Sequence, residues 1–134
     1  MRSLLKIEGV GDAYVEKLQD IGIKSVQALL EKGATPQGRK EMAAQAGIDE
    51  SFILRWVNHA DLSRIKGVGG QYAELLEAAG VDTVVELAQR NAENLHKHLV
   101  ATNDEKKLVQ KLPNHTQVSN WVKQAKKMPR AIVY

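Results

Sequence analysis

Tyr72, Leu75, Leu76 and Ala79 fall at i, i+3, i+4 and i+7, the spacing that gathers four side chains on one face of an α-helix. Gly80 follows that stripe as a stop, and Gly22 ends a matching stretch earlier in the chain. Thr83 with Glu86 has the spacing of a capping box opening a short helix. Thr35-Pro36 supplies an N-cap followed by a first-turn proline. Gly47 and Asp49 separate that helix from one carrying Trp56, Asn91 and Thr116 read as later N-caps, and Pro113 breaks the chain between them. No stretch sustains the alternation of a strand. The closing Ala131-Ile132-Val133-Tyr134 is β-prone but too short to count alone. The pattern predicts an all-α fold.

The pattern also repeats. Ile7-Glu8-Gly9-Val10-Gly11-Asp12-Ala13-Tyr14 aligns with Ile65-Lys66-Gly67-Val68-Gly69-Gly70-Gln71-Tyr72 at an offset of 58, and residues 7–30 keep ten identities in 24 positions at that offset. Further on, Ile53, Trp56, Val57 and Ala60 share their mutual spacing with Val118, Trp121, Val122 and Ala125 at an offset of 65. The chain is therefore expected to hold two copies of one helical unit, 1–61 and 62–128, packed into one compact domain, with 129–134 as a tail. The Tyr and Trp residues common to both copies read as core anchors.

Composition narrows the options. Only 4% of the 134 residues are aromatic, so Leu, Ile, Val and Ala must build most of the core. There is no cysteine, which excludes disulfides, thiolate metal sites and cysteine nucleophiles. The first residues lack the apolar run of a signal peptide, and nothing approaches the ~18 apolar residues of a membrane span. A cytoplasmic protein without a membrane partner is expected. The net charge of +3 is unevenly spread: residues 103–134 carry an excess of five positive charges, the rest an excess of two negative ones.

The glycine pairs carry the candidate chemistry. Hydrophobic-Gly-hydrophobic-Gly leading into a helix permits a tight turn, with Val10 or Val68 anchoring it in the core. Such a turn leaves backbone N–H groups, with the helix dipole behind them, facing whatever lies beyond the helix start, and a phosphate oxygen suits that position. With these motifs, Ile7-Glu8-Gly9-Val10-Gly11 and Ile65-Lys66-Gly67-Val68-Gly69, the sequence resembles the helix-hairpin-helix family. It looks most like a group of short, uncharacterised bacterial proteins with two such repeats. The resemblance implies sequence-independent binding of the DNA backbone by the amides around Gly9, Gly11, Gly67 and Gly69. The residues after the second glycines, Asp12-Ala13 and Gly70-Gln71, depart from the Lys or Arg often found there in DNA-binding members.

Local charge bears on the strength of such binding. Residues 5–30 balance at −1 and residues 63–88 at −2, so the hairpins are mildly acidic. Lys66, Lys106, Lys107, Lys111, Lys123, Lys126 and Lys127 are the cations expected to meet phosphates, and otherwise they form a solvated face. The expected partner is DNA, held weakly and non-specifically. The alternative is a protein partner, with the same fold serving as an interaction or scaffold module. No enzyme, cofactor or metal is expected. His96 and His98 are two apart and diverge on a helix, and His59 and His115 add no ligand spacing. Gly38-Arg39-Lys40 lacks the upstream glycine and the Lys-Ser/Thr pair of a phosphate-binding loop.

Overall fold

A computed structural model describes residues 11–134, apart from the side chain of Asp12. Among them are eight α-helices and no strand. The helices are α1 (Asp12–Asp20), α2 (Val26–Lys32), α3 (Pro36–Ala46), α4 (Glu50–Leu62), α5 (Gly70–Ala78), α6 (Val84–Ala88), α7 (Ala92–Lys106) and α8 (His115–Lys126). None is long and apolar enough to cross a membrane.

Most starts are fixed by a side-chain oxygen accepting from a first-turn amide. Ser25 accepts from Ala28 N at 3.1 Å, Thr35 from Gly38 N at 3.1 Å, Thr83 from Glu86 N at 3.3 Å and Asn91 from Asn94 N at 3.0 Å. Two local expectations are corrected. The box at Thr83 is incomplete, because the Glu86 carboxylate accepts from Asp82 N at 3.5 Å. The α8 cap is Asn114, not Thr116, which lies inside the helix. There the box is complete: Asn114 Oδ1 accepts from Gln117 N, and Gln117 Oε1 accepts from Asn114 N, each at 2.8 Å. Asn114 wins because Gln117 stands at its N3 position and returns the hydrogen bond, whereas Thr116 has Ser119 there.

The chain folds into two compact units, one running to Asp61 and including Ala131–Tyr134, the other Leu62–Arg130. In the first unit, α3 packs on α1 and α2. Leu18, Leu29, Met42, Ile53 and Val57 are fully buried, with Trp56 and Ile132 nearly so. Gly38 lets the start of α3 press against the end of α2, since a Cβ there would lie 1.9 Å from the Lys32 carbonyl oxygen. The buried Arg39 donates to the Gly33 carbonyl at 2.7 Å and to the Val133 carbonyl at 2.9 Å. The terminal residues are thus not a free tail: Val133 N–H donates to the Ala34 carbonyl at 2.8 Å, and the Tyr134 hydroxyl to Asn58 Oδ1 at 2.9 Å.

In the second unit, α8 packs on α6 and α7, and α5 on α7. Its core gathers Leu62, Ile65, Val68, Leu75, Leu76, Leu87, Leu99, Val118 and Trp121. The predicted face of α5 is as expected, with Leu75, Leu76 and Ala79 buried and Tyr72 half-buried. Gly22 and Gly80 both follow their helices at positive φ, 89° and 92°.

Candidate functional site

The turn before α5 is built from Ile65 to Gly69. Ile65 N–H donates to the Leu62 carbonyl and Val68 N–H to the Ile65 carbonyl, each at 3.1 Å, so the chain reverses within a few residues. Ile65 and Val68 are buried and hold the turn to the core, while Lys66, Gly67 and Gly69 face outward. Gly67 has φ +99°, a conformation that strains a side chain, and a Cβ there would lie 3.1 Å from Trp121 Nε1.

Helix α8 clamps the turn from the side. The Gln124 carboxamide accepts from Lys66 N at 2.9 Å and donates to the Lys66 carbonyl at 3.0 Å, using both of its polar ends on one residue. Asn120 Oδ1 accepts from the same Gln124 nitrogen at 2.8 Å. The Tyr72 ring lies 5.3 Å from that of Trp121, and its hydroxyl donates to the Lys111 carbonyl at 2.9 Å. Lys66, Gly67, Thr116, Gln117, Asn120, Trp121 and Gln124 line a shallow groove of about 380 Å³ beside the turn.

One feature separates the helices that follow glycine pairs from five of the others. Helices α2, α3, α6, α7 and α8 each have a side-chain N-cap. Helices α1 and α5, capped by Gly11 and Gly69, have none. Among the described residues, a Cβ at either glycine would meet nothing within 4 Å. The four leading amides of a helix have no partner within it. At α5 they lie beyond an exposed Gly69, with Lys66 nearby in the chain.

Of the predicted site residues, Gly67, Gly69 and Lys66 meet in this turn, and Lys111 is tied to α5 through Tyr72. Lys123 lines a smaller groove with His115, Thr116, Ser119 and Asn120, and Lys126 and Lys127 are exposed at the end of α8. Lys106 and Lys107 are exposed where α7 ends, and among the described residues no hydrogen bond joins them to the Gly67 turn. Gly11 is exposed at the start of α1, while Gly9 lies outside the described residues.

Sequence reasoning missed Gln124 at this turn and, in the other unit, an exposed aromatic, Phe52. Gln124 was invisible because a carboxamide binding backbone leaves no spacing signature. Phe52, 44% exposed, has no part in the sequence-based expectations. Its signal was available: at the offset of 65 it stands where the other stretch has Gln117, an aromatic in place of a carboxamide.

Among the described residues no group of three His, Asp or Glu could hold a metal ion. The family described as Domain of unknown function (DUF4332) matches residues 8–128. No curated protein and no solved structure matches the chain.

Proposed function

The chain belongs to that family of unknown function, and on that premise we propose that it is a non-enzymatic module holding a nucleic-acid backbone without reading its sequence. The observation that carries this reading is the uncapped start of α5 behind the open Gly69, beside the exposed Lys66. A phosphate oxygen would accept from the first-turn amides, where the helix dipole favours an anion. The turn would act as in the helix-hairpin-helix proteins that the sequence resembles. Gln124 would keep the Lys66 backbone in place, and the α8 lysines would add attraction. Non-specific affinity comes mainly from neutralised phosphates, and the net balance of −2 over residues 63–88 keeps it weak.

Fluorescence anisotropy of a labelled DNA duplex tests this. With about four phosphates neutralised, affinity should fall roughly 100-fold between about 50 and 200 mM salt. Gly69→Val is the decisive variant, because φ is −92° and a Cβ has room, so the fold is kept while close approach is blocked. It should weaken binding roughly tenfold, the worth of one or two charge-assisted hydrogen bonds. Absence of binding by the folded protein at low salt would defeat the proposal. If only lysine substitutions matter, the turn is scaffolding and the C-terminal lysines are the site.

A protein-interaction role draws on a different observation. Val100 and Leu112 are exposed at a groove of about 380 Å³ that Asn103, Asp104, Lys107, Val109 and Gln110 complete.

A further inference from the structure

The chain has two Trp, three Tyr and one Phe. Three of those six gather at one place in the first unit. The Tyr14 ring lies 5.1 Å from Trp56 and 6.1 Å, edge-on, from Phe52, while Phe52 stacks over Trp56 at 6.1 Å and 28°. Trp56 is 3% exposed and Tyr14 half-buried, so these two hold the cluster to the core. Phe52, at 44% exposure, is its outward surface.

Cations border this surface. Lys17, exposed one turn beyond Tyr14 on α1, places its ammonium 5.9 Å from the Tyr14 ring centre. Arg55 is exposed one turn beyond Phe52 on the same stripe of α4. Of the acids nearby, Glu16 and Glu50 fall on other flanks, Asp20 lies one turn beyond Lys17, and Asp49, one turn before Phe52, has its carboxylate on the Ser51 amide and hydroxyl. A braced ring with two cations a turn away offers a stacking face to a flat base and a counter-charge to its phosphate.

Resting on the nucleic-acid reading above, we infer that Phe52, backed by Tyr14 and Trp56 and bordered by Lys17 and Arg55, stacks an unpaired base of a single strand. Every base has a π-face, so such a platform is tolerant of sequence. Bases in an intact duplex are stacked on each other and present no free face.

The test compares three probes at one low salt concentration: a labelled oligothymidylate of about twelve nucleotides, an abasic strand of equal length, and a labelled duplex. Phe52→Ala should weaken binding of the oligothymidylate about 5- to 100-fold. Binding of the abasic strand and the duplex should change little. Phe52→Trp should keep the affinity and add an exposed indole whose fluorescence the oligothymidylate quenches, which guards against a folding defect in the Ala variant. Equal affinity of wild type and Phe52→Ala for the oligothymidylate overturns the stacking inference alone, leaving the duplex reading in place. Failure of the folded protein to bind any probe overturns both. Self-association of the wild type in sedimentation, removed by Phe52→Ala, would assign the ring to a second copy of the chain and overturn the inference too.

Discussion

Helices α4 and α8 make an instructive pair. Ile53, Trp56, Val57 and Ala60 on one, and Val118, Trp121, Val122 and Ala125 on the other, are all buried. Burial is thus the same at every matched position of the apolar stripe. Beside the stripe the two diverge. Helix α8 carries Gln117, Asn120 and Gln124, while α4 carries Phe52, Arg55 and His59. The carboxamides cap their own helix and clamp the Lys66 backbone. The aromatic stands at the surface, and His59, at the place of Gln124, is 1% exposed. The difference teaches that the buried stripe sets the fold, while the residues flanking it are free to set what each unit presents.

The sharpest way to break that comparison is at the tryptophans. If the stripes are equivalent, Trp56→Ala and Trp121→Ala should each cost about 3–5 kcal/mol, the usual loss for a large buried aromatic. Denaturant unfolding followed by amide signals assigned to each unit would measure both. A loss below about 1 kcal/mol at one site would show that its stripe is not a core anchor.

A smaller effect sharpens the contrast beside the stripe. Gln124→Ala removes both hydrogen bonds to Lys66, on a partly exposed surface, and should cost about 1 kcal/mol. Its signature is local: faster hydrogen exchange at Lys66, with the Tyr14–Phe52–Trp56 cluster unmoved. Gln124→Glu keeps an acceptor for Lys66 N–H but sets a carboxylate against the Lys66 carbonyl, so it should not restore the turn.

Much of this was legible beforehand. Helical periodicity, the caps at Thr35, Thr83 and Asn91, and the stops at Gly22 and Gly80 follow from local chemistry, which sequence encodes directly. Where two local signals competed, the reading failed: Thr116 lost to Asn114 because only Asn114 has a Gln three residues on to complete its box. Long-range pairings left no trace. Gln124 meets Lys66, and Arg39 meets Val133, through separations that no spacing rule spans. That is why the last residues read as a tail when Ile132 belongs to a core.

The smallest expected effect also separates the units. In the first, Lys32 at the end of α2 meets Glu41 on α3 at 2.7 Å, and both are exposed. The hydrogen bond from Lys32, then that from Gln37, holds the Glu41 carboxyl below its ordinary range. Asp49, whose carboxylate accepts from the Ser51 hydroxyl and amide, is lowered likewise. A carboxylate lowered in the folded state stabilises that state at neutral pH, and the stabilisation is lost as pH falls from about 4 through the folded value. Acid should therefore loosen the α2–α3 contact and the start of α4 in the first unit by this route. Glu41→Gln should flatten the acid limb of the first unit's stability slightly and leave the second unit's unchanged. An exposed pair is screened by solvent and salt, so the shift should shrink further in about 1 M NaCl. An equal response of both units to Glu41→Gln would mean that they unfold together, and the comparison drawn from their stripes would then have to be made on a single cooperative fold.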